Sequence, residues 1–177
     1  MYSRNIEKTN AFTSNLKKNL LEIFNLSLEE LEISPVTNLK ENVEISDVII
    51  TITPSKIPLL NKDWIKKGTH ISCVGADMPG KQEIESEILT MSKIYVDDLN
   101  HCMKSGEIEK AINMGTLAKN DIRGTIGELI IDNIHGRTNK DDITIADLTG
   151  SALLDIATAY HALKLSNQKH IGTTVTL

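Results

Sequence analysis

Val48-Ile49-Ile50-Thr51-Ile52-Thr53 has the strongest strand character of any segment in this chain of 177 residues. Each of its six residues is β-branched, and Pro54 ends the run. A run that is apolar on both faces is typical of a strand inside a parallel sheet, where helices cover both sides. We therefore expect residues 48–53 to form a central strand.

Strand patterns and helix patterns alternate on both sides of this segment. Further strands are expected at residues 31–36, 70–75, 94–96 and 143–147, with a strand end at 2–4. Helices are expected at residues 6–23, 39–45, 81–89, 99–114 and 151–165, with a break near residues 105–106 and a short helical turn at 126–131. In the first helix, Phe12, Leu16, Leu20 and Ile23 recur at helical spacing and predict its apolar face. The alternation predicts an α/β fold with a parallel sheet.

Composition narrows the classes of partner. The chain is 40% apolar and 24% charged with a formal net charge of −5, and aromatic residues make up 3%. This charge and this shortage of aromatic rings argue against nucleic acid as a partner. Apolar stretches are too short to cross a bilayer, and the first eight residues lack the apolar core of a secretory signal, so no membrane partner is expected. Cys73 and Cys102 form no CxxC motif, which favours the cytoplasm.

Three loops follow predicted strands and end in small or polar residues, at 53–56, 75–81 and 96–98. If the strands are parallel, these tips lie at one edge of the sheet, where ligands bind in open α/β folds. Asp77 would then present a carboxylate that can exchange a proton with an amino group. Aspartate is also common in turns for local hydrogen bonding, and spacing alone leaves both interpretations open.

Other chemistry has little support in the sequence. The five histidines form no HxxxH motif and no Cys/His cluster, so no metal site is expected. Cys73 lies in an apolar strand, where packing is expected rather than reactivity.

Val74-Gly75-Ala76-Asp77-Met78-Pro79-Gly80-Lys81-Gln82-Glu83 closely resembles the signature turn of the ornithine cyclodeaminase/mu-crystallin family. Residues 46–55, 136–138, 141–150 and 155–159 resemble further segments of that family, so the resemblance runs from about residue 2 to residue 165. The family also includes archaeal-type alanine dehydrogenases and ketimine reductases.

The resemblance implies a Rossmann-type nicotinamide-binding domain in which Asp77 takes part in proton transfer. In the cyclodeaminase reaction, L-ornithine gives L-proline and ammonia through an imine, with hydride passing to NAD⁺ and back. An alanine dehydrogenase or ketimine reductase would use the same carboxylate for one net hydride transfer. A third possibility is a non-catalytic nucleotide- or ligand-binding protein, as in the crystallin branch.

By position, the resemblance assigns nine residues to the cofactor: Ser3, Arg4, Asn5, Thr53, Pro54, Val74, Gly75, Thr149 and Gly150. Residues 3–5 would face the adenine ribose, 53–54 the adenine, 74–75 the nicotinamide ribose and 149–150 the nicotinamide. An arginine beside the ribose accommodates a 2′-phosphate, so Arg4 favours NADP over NAD. Arg4 could equally be a solvated residue at a helix start, and residues 149–150 could form a turn before a helix capped by Ser151.

The family's first Rossmann strand, its glycine-rich loop and its substrate domain have no counterpart in the sequence. We therefore expect a carboxy-terminal portion of a longer enzyme, homodimeric in full, that alone binds cofactor weakly and has no turnover. Residues 1–145 would form a partial Rossmann domain, and 146–177 a helix and tail associated with the missing substrate domain. The strand at 48–53 would keep an unpaired edge, without direct pairing to residues 2–3.

Overall fold

A computed structural model describes residues 1–24, 31–173 and 175 of the chain. Its five strands are β1 (Val48–Thr51), β2 (His70–Cys73), β3 (Lys93–Val96), β4 (Ile122–Thr125) and β5 (Thr144–Asp147). All pair in parallel, in the order β1-β2-β5-β3-β4. The helices are α1 (Ile6–Phe24), α2 (Leu39–Ile45), α3 (Ser86–Thr90), α4 (Leu99–Ser105), α5 (Glu109–Asn113), α6 (Ile126–Ile130) and α7 (Ala152–Lys169). The predicted α/β class with a parallel sheet is confirmed.

Strand β5, the last in the sequence, lies in the middle of the sheet. Thr144 aligns with His70 of β2 on one side and with Lys93 of β3 on the other. All four residues of β5 are buried, which fits a strand covered on both faces. Because the strands are parallel, the loops that follow them meet at one edge, as predicted.

The prediction that residues 48–53 form a central strand is wrong, whereas the expected unpaired edge at 48–53, without pairing to residues 2–3, is confirmed for the residues that the structure describes. Among the described residues β1 pairs with β2 alone and stands at the edge of the sheet, and its regular pairing ends at Thr51. Val48 and Ile50 are 61% and 66% exposed. The apolar composition suits a buried strand, but composition does not determine which neighbours a strand has.

Other predicted elements also need correction. Residues 31–36 form no strand. They do contact Met1, whose amino group donates to Ser34 O at 2.6 Å and whose carbonyl oxygen accepts the Val36 N–H at 2.8 Å. Strand β4 was missed because its arginine and glycine weaken the strand pattern. In α1 the buried residues are Thr9 and Thr13, whereas Phe12 is 54% exposed.

Residues 81–89 were predicted to be helical, but α3 begins only at Ser86. The residues before Ser86 are irregular, and their N–H groups donate to side chains or to a distant loop instead of to a helix. For example, the Gln82 N–H donates to Ser55 O at 2.9 Å. The predicted helix at 99–114 is divided into α4 and α5 at Gly106, where the sequence predicts a break. A Cβ atom at Gly106 would lie 2.5 Å from Asp147 Oδ2, so only glycine fits.

The core lies between the sheet and α3, α4 and α5. Its fully buried members include Ile71, Ile84, Ile94, Ile108 and Ile145. Cys73 is also fully buried among them, as its apolar surroundings predict.

Helix α7 has no buried residue among its 18 positions. Ser151 caps it as predicted, accepting the Leu153 N–H at 3.2 Å. The assignment of residues 146–177 to the neighbourhood of a substrate domain stays a prediction. Within the described part of the chain, none of the helices combines the length and apolarity needed to span a membrane.

The exposed edge of β1 predicts self-association of the chain as given. Replacing Ile50 with lysine places a charge on this edge, and we expect the associated fraction in size-exclusion chromatography with light scattering to fall. Ile57→Lys is the control, since Ile57 is 71% exposed but lies outside the strands. Equal behaviour of the two variants would contradict the prediction.

Candidate functional site

The carboxyl edge of the sheet brings four loops together, after β1, β2, β3 and β5. The predicted site residues at 53–54, 74–77 and 149–150 all lie in these loops. The parallel arrangement therefore accounts for their common location.

Glu83 ties the loop after β1 to the loop after β2. Its Oε1 accepts the Thr53 N–H at 2.6 Å and the Thr53 hydroxyl at 2.7 Å, and its Oε2 accepts the Gly75 N–H at 2.9 Å. Glu83 is fully buried, so these donors replace the water that a carboxylate normally needs.

Gly75 is required by this contact between loops. A Cβ atom here would lie 2.2 Å from Thr53 O and 2.6 Å from Glu83 Cδ. A side chain would therefore push the two loops apart. This packing explains the glycine without any ligand.

Two further carboxylates hold Glu83 in place. Glu107 accepts the Glu83 N–H at 2.9 Å and the Ile84 N–H at 2.8 Å. Asp147, at the end of β5, accepts the Glu107 N–H at 3.0 Å and the Ile108 N–H at 3.2 Å. Glu107 is 1% exposed and Asp147 fully buried. We call Glu83, Glu107 and Asp147 the carboxylate chain.

Burial dominates the electrostatics of the carboxylate chain. It raises the pKa of Glu107 to about 8 and the pKa of Asp147 to about 7, because a charge removed from water is disfavoured. The backbone N–H donors favour the charged forms and lower both pKa values in part.

Asp97, at the end of β3, organises the loop after β5. Its Oδ2 accepts the N–H groups of Thr149 at 2.9 Å and Gly150 at 2.7 Å, and its Oδ1 accepts the Thr149 hydroxyl at 3.0 Å. That hydroxyl also lies 3.2 Å from His101 Nδ1. The turn before α7 is thus anchored to the sheet.

Asp77 stands on the turn after β2, with its side chain 51% exposed. It forms an ion pair with Lys81, whose side chain is 12% exposed. The hydrogen bond from Lys81 lowers the pKa of the Asp77 carboxyl, which keeps it ionised. Glu109 accepts the Gly80 N–H at 2.7 Å and fixes the end of this turn.

A cavity of about 890 Å³ runs along the free edge of β1. Its lining is mostly apolar and includes Ser3 and Thr53, and Thr53 lies just beyond the carboxyl end of β1. Of the nine residues assigned to the cofactor, Ser3 and Thr53 thus lie in one cavity. Asn5 accepts the Lys8 N–H at 2.9 Å at the start of α1, while Arg4 and Pro54 are exposed and do not line this cavity.

The sequence analysis missed Glu83, Glu107, Asp97 and Asp147 as structural members of the site. Two of them carried a visible signal, since Asp97 and Asp147 each follow a short apolar strand. Among the described residues, no group of His, Cys, Asp or Glu side chains is arranged to hold a metal ion.

Comparison with known proteins supplies independent evidence. The sequence model of the ornithine cyclodeaminase/mu-crystallin family matches residues 2–165. Alanine dehydrogenase of Archaeoglobus fulgidus is 40% identical over 147 residues, which cover 83% of this chain and 46% of that protein.

Two solved structures are also similar to the chain. An archaeal alanine dehydrogenase dimer with bound NAD superposes with a TM-score of 0.77 at 37% identity, covering 90% of this chain and 49% of that one. The Thermococcus litoralis Δ¹-pyrroline-2-carboxylate reductase in complex with NADH and L-proline gives a TM-score of 0.86 at 28% identity, covering 97% and 51%. The chain thus spans about half the length of the relatives it matches.

The raised pKa of Glu107 predicts how stability depends on pH. A group whose pKa is raised on folding contributes stability below its ordinary value of 4.5, and that contribution is lost as pH rises through about 8. Glutamine does not ionise, so we expect Glu107→Gln to reduce this loss of stability. The free energy of unfolding of the wild type minus that of the variant should therefore fall as pH rises across this range. Urea denaturation at a series of pH values measures it.

His70 changes the pH dependence of stability in the opposite direction. Burial lowers its pKa from 6.5, so its contribution to stability increases as pH rises. It is present in both proteins and cancels in their difference. Glu87→Gln, at an exposed position of α3, is the control. A difference between wild type and Glu107→Gln that does not change with pH would contradict the prediction.

Proposed function

This chain belongs to the ornithine cyclodeaminase/mu-crystallin family, and on that premise we propose that the protein transfers a hydride between a nicotinamide dinucleotide and the α-carbon of a small amino acid or its imine. The activity is proposed for the complete protein, because the chain covers only about half of its relatives. The names of those relatives, an alanine dehydrogenase and a pyrroline-carboxylate reductase, support amino-acid and imine oxidoreduction.

One observation carries this proposal. Asp77 and the loops that contain Thr53, Gly75 and Thr149 share the carboxyl edge of one parallel sheet. Ligands of open α/β sheets bind at this edge. A proton-accepting carboxylate at the edge where nucleotides bind is the arrangement that such a transfer requires.

The residues present are compatible with a nicotinamide dinucleotide. Ser3 and Thr53 place hydroxyl groups in the largely apolar lining of the cavity, which suits an adenosine group. Gly150 has a φ of +80°, and no atom lies within 4 Å of the position that a Cβ would take. Its backbone is therefore open to a flat group. When bound, the cofactor supplies the acceptor or donor of the hydride.

Asp77 is the proposed catalytic residue. Its lowered pKa keeps the carboxylate ionised, so it can take a proton from a substrate amino group and return it. Its half-exposed side chain leaves room for that group. Lys81 holds the carboxylate until the substrate arrives.

The strand that the resemblance assigns beside β1 is part of this proposal. Asp47 O, just before β1, accepts the His70 N–H, and Thr51 O at the end of β1 accepts the Val74 N–H. Every second residue of this segment therefore pairs with the β2 side. Val48, Ile50 and Ile52 therefore direct their N–H and C=O groups toward the cavity. We propose that in the complete protein one further parallel strand pairs with this edge beside Val48 and Ile50 and leaves the end at Thr53 to the cofactor. That protein would be a cytoplasmic homodimer.

Ornithine cyclodeamination is the second candidate, supported by the family description and by the signature turn at 74–83. It differs from dehydrogenation in returning the hydride to the product. A third candidate, a ligand-binding protein without catalysis, requires no proton transfer at residue 77.

The Asp77→Asn variant tests catalysis. We expect the complete protein to oxidise reduced nicotinamide with pyruvate plus ammonia, or with a cyclic imine, as substrate. We expect the variant to lose about 10²- to 10⁴-fold of that rate because asparagine accepts no proton. Cofactor binding should persist. Absorbance at the nicotinamide band measures the rate. Asp63→Asn, an exposed aspartate in the turn at Lys62–Trp64, is the control.

The outcomes separate the three candidates. Proline formation from ornithine without net change of the cofactor would favour cyclodeamination over dehydrogenation. Unchanged ligand binding with no turnover of any substrate would favour the binding protein.

The choice between NAD and NADP is tested at Arg4. If Arg4 meets a 2′-phosphate, Arg4→Ala should raise the Kd for NADPH by about 10- to 100-fold and leave that for NADH within a few-fold, since a charge-assisted hydrogen bond is lost. Fluorescence titration measures both constants. Lys18→Ala, which removes an exposed charge from α1, the helix that follows Arg4, is the control. Equal effects on the two cofactors would contradict a phosphate contact.

A further inference from the structure

Glu83 occupies a position that controls two cofactor-facing loops at once. One fully buried carboxylate accepts two donors from Thr53 and one from Gly75. Thr53 lines the cavity beside β1, and Gly75 precedes Asp77 by two residues. A shift of this carboxylate would therefore move both the adenosine end of the site and its catalytic turn.

We propose that Glu83 is a positioning residue that sets the distance between the cofactor cavity and Asp77, and that Glu107 and Asp147 hold it there. The identity of the ligand rests on the proposed function. The arrangement of the loops does not, because it depends only on hydrogen bonds within this chain.

The support for Glu83 comes from the centre of the sheet. Asp147 ends β5 and binds the N–H of Glu107, and Glu107 in turn binds the N–H of Glu83. Each carboxylate thus fixes the backbone of the next one. The carboxylate chain connects the most buried strand with the loop of the edge strand β1, across sequence separations of 40 and 24 residues.

The hydrogen bonds at Glu83 call for a carboxylate rather than an amide. A carboxylate has acceptors on both oxygens, whereas an amide places an NH₂ donor on one side. At Glu83 the donors approach both oxygens, so a glutamine of nearly equal size would direct its NH₂ group against the N–H of Thr53 or of Gly75. The variant Glu83→Gln therefore breaks one loop contact with little change of volume.

The test combines amide exchange with cofactor titration in the complete protein. For Glu83→Gln we expect hydrogen exchange at the Thr53 or Gly75 amide to accelerate by about tenfold or more, and the Kd for the nicotinamide cofactor to rise by a similar factor. Glu85→Gln is the matched control, because Glu85 accepts Asn61 Nδ2 at 2.7 Å and the Lys62 N–H at 2.9 Å, away from these loops.

A purely structural role is tested with Ile94→Val, which trims a fully buried core residue of β3. Both variants lower the stability of the fold, but only Glu83→Gln should raise the cofactor Kd at temperatures well below unfolding. If Glu83→Gln does not fold, Glu107→Leu takes its place, because leucine is similar in size but removes the acceptor of the Glu83 N–H. We expect a several-fold rise in the same Kd, since Glu107 lies outside the cavity and acts through Glu83.

The outcomes are distinguishable from failure of the proposed function. If the wild-type protein binds no nicotinamide cofactor, the proposed function fails, and amide exchange alone decides the positioning role. If amide exchange and Kd in Glu83→Gln match those of Glu85→Gln, the positioning role is overturned. It is also overturned if Ile94→Val raises the Kd as much as the glutamate variants do.

Discussion

The structure depends on the requirement that three buried carboxylates must be hydrogen-bonded. A carboxylate removed from water costs several kcal/mol unless donors replace its hydration. In this fold most of the donors are backbone N–H groups. The N–H groups that bind the carboxylates of Glu83, Glu107 and Asp147 belong to loops beside the carboxyl edge. The hydrogen bonds that stabilise the buried carboxylates therefore also order the loops.

The same solution occurs again one strand away. Asp97 accepts two N–H groups and a hydroxyl from residues 149–150 and so anchors the turn before α7. Gly75 and Gly106 belong to this arrangement, because each lets a backbone segment approach within a distance that any side chain would block. The exposed part of the edge then includes residues 77–79, around Asp77 and its ion pair with Lys81.

Much of this could be predicted from local patterns, and the exceptions have a physical cause. Strands near 48–51, 70–73, 94–96 and 144–147 were predicted correctly because short β-branched runs reveal them. Parallel pairing then places the loops around Asp77 at one edge without further information. The position of β1 at the edge, the insertion of β5 between β2 and β3, and the carboxylate chain depend on contacts between residues far apart in the sequence, which no local pattern contains.

The ion pair at Asp77 bears on the kind of substrate that fits the edge. Lys81 neutralises the carboxylate in the structure described, and its own side chain is largely buried, so it cannot move far. A ligand that engages Asp77 must offer a positive charge or a good hydrogen-bond donor to compete with that lysine. An ammonium group at an α-carbon meets this condition, whereas a neutral hydroxyl does so poorly. On the proposed function, the ion pair at this turn therefore favours amino acids and protonated imines over hydroxy acids as substrates.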